Sequence, residues 1–139
     1  MAFSAVKRAS TTPMARSQPM STNRPRYDET SQFDIIRDSI TAGEQIYATY
    51  ASESAGVAMV GVTNKRVILL DTAFTGGRAA LVTAPFSRIT TVAYVSTEDE
   101  PIFSRTVAIQ VGRIFYEVTC RGEEQAAELH DTISWHLMN

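Results

Sequence analysis

The sequence holds a single cysteine, Cys120, among its 139 residues. No intramolecular disulfide and no cysteine-based zinc cage can be assembled from it, which fits a reducing, cytoplasmic setting. No uninterrupted apolar run is longer than Val67-Ile68-Leu69-Leu70, far short of the roughly 20 residues that a membrane-spanning helix needs. Nothing near the N-terminus resembles the apolar core of a signal peptide, so a soluble protein is expected. Histidine is scarce as well. His130 and His136 fall about 120° apart on a helix, off the single face that an i, i+4 zinc pair requires. Gly76-Gly77 has no helix behind it and makes no phosphate loop. His130, Asp131 and Ser134 crowd about one helical turn, but neighbouring positions on a helix surface supply neither an orienting third group nor an oxyanion site. The residues therefore point to no catalytic group, no metal, no cofactor and no small-molecule substrate, and the protein is expected not to be an enzyme.

What is present is unevenly distributed. The formal charge is -2, yet five of the 13 basic side chains (Lys7, Arg8, Arg16, Arg24 and Arg26) precede the first acid, Asp28. Eight remain against all 15 acidic ones, so the body carries -7. Such a body repels phosphates and anionic membrane on average; the basic segment is the part drawn to them. Residues 1–28 are rich in Ser, Thr, Pro and Arg and show no sustained apolar periodicity. They cannot offset the entropy of ordering and are read as a disordered basic tail, leaving 29–139 as one domain.

Within that domain the apolar period changes twice. Over 31–40, Phe33, Ile36 and Ile40 recur at helical spacing with Gly43 behind them, predicting a short amphipathic helix. Seven β-rich runs follow, at 45–52, 57–63, 66–72, 79–83, 88–95, 105–111 and 114–120. Asn64-Lys65 and Gly112-Arg113 are two-residue turns suited to hairpins, so sequential strands pair antiparallel. Alternation sets Val107, Ile109 and Val111 on one face and Ile114, Tyr116, Val118 and Cys120 on another, turning Cys120 to the core. The longer polar connections at 52–56, 75–78 and 97–103 are the candidate functional loops. From Glu123 to Met138, Ala126, Leu129, Ile133 and Leu137 form one stripe of an amphipathic helix.

Seven short strands closed by one helix is the order of a pleckstrin-homology-like barrel, and particular residues resemble the bacterial pleckstrin-homology (PH) domains. They are Ala42-Gly43-Glu44-Gln45-Ile46, Thr63-Asn64-Lys65-Arg66 with the apolar run after it, and Pro85-Phe86-Ser87-Arg88-Ile89 with Val92. The resemblance spans 31–138 and departs at Ala84, where the family often has Ile. It implies a mainly β, PH-like barrel of about seven antiparallel strands with a C-terminal amphipathic helix and a short N-terminal one. It also implies an adaptor or oligomerising module without enzymatic activity. PH domains that bind phosphoinositides use bases around the first hairpin. Here that loop reads Ala51-Ser52-Glu53-Ser54-Ala55-Gly56, with an acid and no base, which disfavours the lipid there.

Two sets of residues compete for function. Trp135 falls about 180° from the apolar stripe of its helix and so requires a partner. The helix of Phe33 and Ile36, the barrel wall or another molecule would serve. Trp135, Met138, Phe33 and Ile36 are thus the candidate interaction residues of a protein-binding or self-assembling module, a homo-oligomer included. Lys65, Arg66, Arg78 and Arg88 are the candidate anion contacts of the alternative, a peripheral membrane or anionic-ligand binder aided by the basic tail. Specific nucleic-acid binding is not expected, because the tail has no interleaved aromatics for stacking.

Overall fold

A computed structural model describes residues 26–28 and 32–139. Strand β1 (Arg26–Tyr27) and helix α1 (Phe33–Asp38) precede β2 (Ile46–Ala51), β3 (Val57–Thr63), β4 (Arg66–Phe74) and β5 (Arg78–Pro85). Then come β6 (Ile89–Val95), β7 (Thr106–Val111), β8 (Ile114–Thr119) and the closing helix α2 (Glu123–Met138). Strands β2 to β5 form one antiparallel sheet and β6 to β8 a second. The architecture is mainly β and PH-like, with hydrogen bonding organised as two sheets. The expected seven strands are all present, and the hairpins turn at Asn64-Lys65 and Gly112-Arg113, the latter with Gly112 at a φ of 65°.

The tail assigned to 1–28 lies largely outside the described residues. Its last three positions are described, and there the structure differs from the expectation. Arg26 and Tyr27 pair in parallel with β2, opposite Ala48 and Thr49, and Ala51 N donates to Asp28 Oδ2 at 3.0 Å. Two residues of ladder and one carboxylate suffice to hold this short edge strand.

The main core lies between the sheets and under α2. Ala126, Leu129 and Ile133 of the predicted stripe bury against Val60, Val62, Val67, Leu69, Val107, Ile109 and Val118. Cys120 is also there, fully buried, and burial pushes its thiol up to about 12.

The first sheet is buried on its other face too, which explains why Val67 to Leu70 are apolar at every position instead of at alternate ones. Val67 and Leu69 enter the main core, whereas Ile68 and Leu70 join Met59 and Ile36 in a second cluster outside it. A register shift between Val57 and Met59 lets β3 serve both, since Val57 and Val60 face the same way across it. Gly61 makes room for α1: a Cβ there would sit 2.7 Å from Ile36 Cγ2. Helix α1 therefore covers the outer face of the first sheet, so of the three covers considered for Trp135 this helix is not the one.

Candidate functional site

The turn that follows β3 begins a polar clasp. Glu44 accepts from Arg66 through both carboxylate oxygens, with Nε at 2.8 Å from Oε2 and Nη2 at 3.0 Å from Oε1. Thr63 Oγ1 donates to the same carboxylate at 2.7 Å, and the backbone and hydroxyl of Thr41 donate to it at 3.0 Å each. Two of the three remaining guanidinium hydrogens go to Ser39 O at 2.8 Å and Thr83 Oγ1 at 2.7 Å. Asn64 adds a reciprocal pair with Gln45, its Oδ1 accepting at 2.8 Å and its N–H donating at 3.1 Å. The Arg66 guanidinium beside Glu44 outweighs the cost of burial and lowers the carboxyl to about 2. Gly43-Glu44 and Thr63-Asn64-Lys65-Arg66 thus work together to staple the start of β2 to the β3–β4 turn. Arg66, expected as an anion contact, is spent inside the fold.

The other predicted cations do not form one group. Arg78 lies opposite Phe74 at the far end of β4, with its Nε donating to Thr75 O at 2.9 Å. Lys65 lies at the near end, where Arg66 pairs with Pro85, and is exposed. Exposed Arg88 follows at the 3₁₀ turn Phe86–Arg88 that leads into β6.

The same turn receives the end of α2. The His136 ring stacks on Phe86 with centroids 3.8 Å apart and planes 4° from parallel, and Trp135 meets His136 edge-on at 5.0 Å. Helix α2 therefore carries half-buried Trp135 and Met138, 77% exposed, to the end of the domain that holds Lys65 and Arg88. Ile36 is fully buried under α1 and is no surface contact. Phe33, half-buried and 5.2 Å from the Tyr27 ring, belongs to the other face of the first sheet.

The β7–β8 hairpin lies elsewhere. Thr119 O accepts from Glu53 N at 2.8 Å and Thr119 N donates to Ser52 Oγ at 3.2 Å, so β8 runs beside the 52–56 loop at the Val57 end of β3. That is away from the Thr63 end that carries the Lys65 turn, and there Arg113 is exposed and Ile114 and Phe115 are each 56% exposed. Alternation placed Ile114 on one face with Tyr116 and Val118, but at the strand end it is exposed. Of the acids, only Glu44 is carried by the segments that meet at the turn end (39–47, 61–70, 83–92 and 132–139), and Arg66 neutralises it. Among the described residues Lys65, Arg88 and Arg113 have no carboxylate partner.

The opposite side of the domain has different chemistry. A cleft of about 290 Å³ between the first sheet and α2 is lined by Tyr27, Asp28, Thr49, Tyr50, Gln125 and Glu128. The Tyr50 hydroxyl donates to Glu128 Oε1 at 2.6 Å. Among the described residues its lining has two carboxylates and no cation, which does not suit phosphate. The 52–56 loop is tied down on β8, with Ser54 Oγ donating to Glu117 O at 2.8 Å and Glu53 paired to Arg105 at 3.1 Å. The His130 ring stacks on Tyr94 at 4.3 Å, with Nδ1 3.2 Å from Asp131 Oδ1. Among the described residues no helix is long and apolar enough to cross a membrane, and no three metal-ligating side chains gather.

A family model described as "Bacterial PH domain" matches residues 40–134, which take in β2 to β8 and most of α2. No curated protein matches the chain.

Proposed function

The chain belongs to the bacterial PH domain family, whose domains are generally non-catalytic modules, and from that premise we propose a protein-interaction or self-assembling module that engages its partner through the turn end. One observation carries this reading: two exposed cations, Lys65 and Arg88, which have no carboxylate partner among the described residues, share that end with exposed Met138 and half-buried Trp135. Apolar surface rimmed by charge is the usual anatomy of an interface. The magnitudes divide the labour. Burying a Met side chain contributes about 1.5–3 kcal/mol, whereas an exposed ion pair contributes about 0–1 kcal/mol. The apolar pair supplies affinity, and the cations supply orientation and encounter rate.

Light scattering coupled to size-exclusion chromatography tests this on the full chain and on Trp135→Ser/Met138→Ser. The expected result is an assembly, or a complex with a recovered partner, that the double variant loses. A wild-type monomer at all concentrations that also captures no partner contradicts the reading.

A second reading, peripheral binding to an anionic lipid surface, draws on one specific feature. Because β1 runs parallel to β2, its first residue, Arg26, pairs with Ala48 towards the Ile46 end of β2, which neighbours Thr63 and the Lys65 turn. Each base near an anionic bilayer adds about 1 kcal/mol. Full-length protein should then bind phosphatidylserine vesicles at low salt, and deletion of 1–25 should abolish it. No binding by the full chain at low salt rules this reading out.

A further inference from the structure

Each sheet has two edges, and three of the four are short, tied or covered. In the first sheet β1 is two residues long. In the second, β8 is tied to the 52–56 loop through Ser52, Glu53 and Ser54, and α2 lies against β6 with the His130 ring stacked on Tyr94. Strand β5 is different. It runs for eight residues, Arg78–Pro85, at the end of its sheet, with β4 on one side and, among the described residues, no strand on the other.

The direction of its backbone groups follows from β4. Arg66 N donates to Thr63 Oγ1 at 3.0 Å, Arg66 O accepts from that hydroxyl at 3.2 Å, and Thr72 N donates to Gly56 O at 2.6 Å. Arg66, Ile68 and Leu70 therefore face β3, while Val67, Leu69 and Asp71 face β5 and meet Ala84, Val82 and Ala80. The intervening Ala79, Leu81 and Thr83 point their N–H and C=O groups away from the sheet. Pro85, opposite Arg66, continues this outward set and has no N–H to offer. Among the described residues none of these outward N–H groups has a hydrogen-bond partner. Ala79, Leu81 and Thr83 are all exposed, Leu81 at 41%. No Lys, Asp or Glu lies on the strand to blunt it.

Charge around the edge selects its occupant. No Asp or Glu occurs from Thr72 to Thr97, although the body carries -7. Arg78, at one end of β5, has no carboxylate partner among the described residues, and Lys65 and Arg88 lie at the other end. A second β5 laid antiparallel about Leu81 would bring its own Arg78 opposite Ala84, towards Lys65 and Arg88, so like charges oppose a second copy. We propose that β5 receives an extended segment of another protein, uncharged along its length and acidic at its C-terminal end, as an added antiparallel strand. Its main chain bonds Ala79, Leu81 and Thr83, an aliphatic side chain covers Leu81, and its carboxylates meet Arg78. This surface goes beyond the turn-end reading and does not rest on it.

Amide-resolved nuclear magnetic resonance of the full chain tests the edge with a short peptide of alternating threonine and valine that ends in two glutamates. In the free protein the amides of Ala80, Val82 and Ala84 should exchange slowly and those of Ala79, Leu81 and Thr83 fast. The peptide should shift and protect the fast set. N-methylation of the peptide at alternate residues, on the side that bonds β5, should weaken binding at least about tenfold. Leu81→Pro, which removes one outward N–H, should do the same; thermal melts check its fold, and the methylated peptide decides the matter if that variant unfolds. Arg78→Glu, or lysines in place of the glutamates, should weaken binding about threefold or more. The proposal is overturned if the peptide at millimolar concentration leaves Ala79, Leu81 and Thr83 unshifted. It is equally overturned if the methylated peptide binds as tightly, or if the basic peptide binds as well as the acidic one. Trp135→Ser/Met138→Ser should bind the peptide as wild type does, whether or not it assembles; loss of binding there would move the site to the turn end and contradict the edge.

Discussion

Lys65 and Arg66 are adjacent in one turn, yet their charges are used in opposite ways. Arg66 is wrapped by Glu44, Ser39 and Thr83, while Lys65 extends from the surface. The apolar surfaces outside the main core divide similarly. The outer face of the first sheet is covered by α1 through Ile36, whereas Met138 is left open at the turn end. Side chains that the chain covers or pairs itself belong to stability; those it leaves over are available to a second molecule. The comparison separates residues by what their loss should change, melting or assembly.

The clasp should break hardest. Arg66→Ala strands a buried carboxylate and is expected to cost about 3–5 kcal/mol of stability, read from urea midpoints, against about 0.5 kcal/mol or less for Lys65→Ala. Equal losses would erase the distinction between the two neighbours. Next comes acid. Because the Glu44 carboxyl is lowered from 4.5 to about 2, its contribution is fully present above about pH 4.5 and is lost as pH falls towards 2. It amounts to on the order of 3 kcal/mol. Melts from pH 6 to pH 2 should show a loss that Glu44→Gln, already weakened, lacks in this window.

A smaller loss, about 1–3 kcal/mol, is expected for Gly61→Ala, whose methyl meets Ile36 Cγ2. In an Ile36→Ala background the added cost should shrink, and an unchanged cost would place α1 elsewhere. Smallest in stability are substitutions of Arg88 and Met138, within about 0.5 kcal/mol of wild type. Their effect should appear in association instead.

Strand order, both hairpin turns and the bounds of α2 were legible in the sequence because alternation, turn chemistry and helical period are local signals. The burial of Cys120 followed from the same alternation. The position of α1 was not, although four successive apolar residues from Val67 to Leu70 already mark a strand covered on both faces. The fate of Arg66 was hidden because its partner Glu44 lies 22 residues away. The turn end was half legible. Trp135, Met138, Lys65 and Arg88 were all singled out, but in two separate sets, and only the pairing of Arg66 with Pro85 and the Phe86–His136 stack bring them together. Short-range pattern names such residues; which turns share an end depends on register across both sheets.

The most direct measurement is light scattering of the full chain and of Lys65→Glu/Arg88→Glu across a salt series, with thermal melts on the same samples. The account predicts a wild type that assembles and comes apart as salt rises, and a variant that remains monomeric with the wild-type melting temperature. A variant that assembles as wild type does, or that loses assembly only by losing its fold, would contradict it.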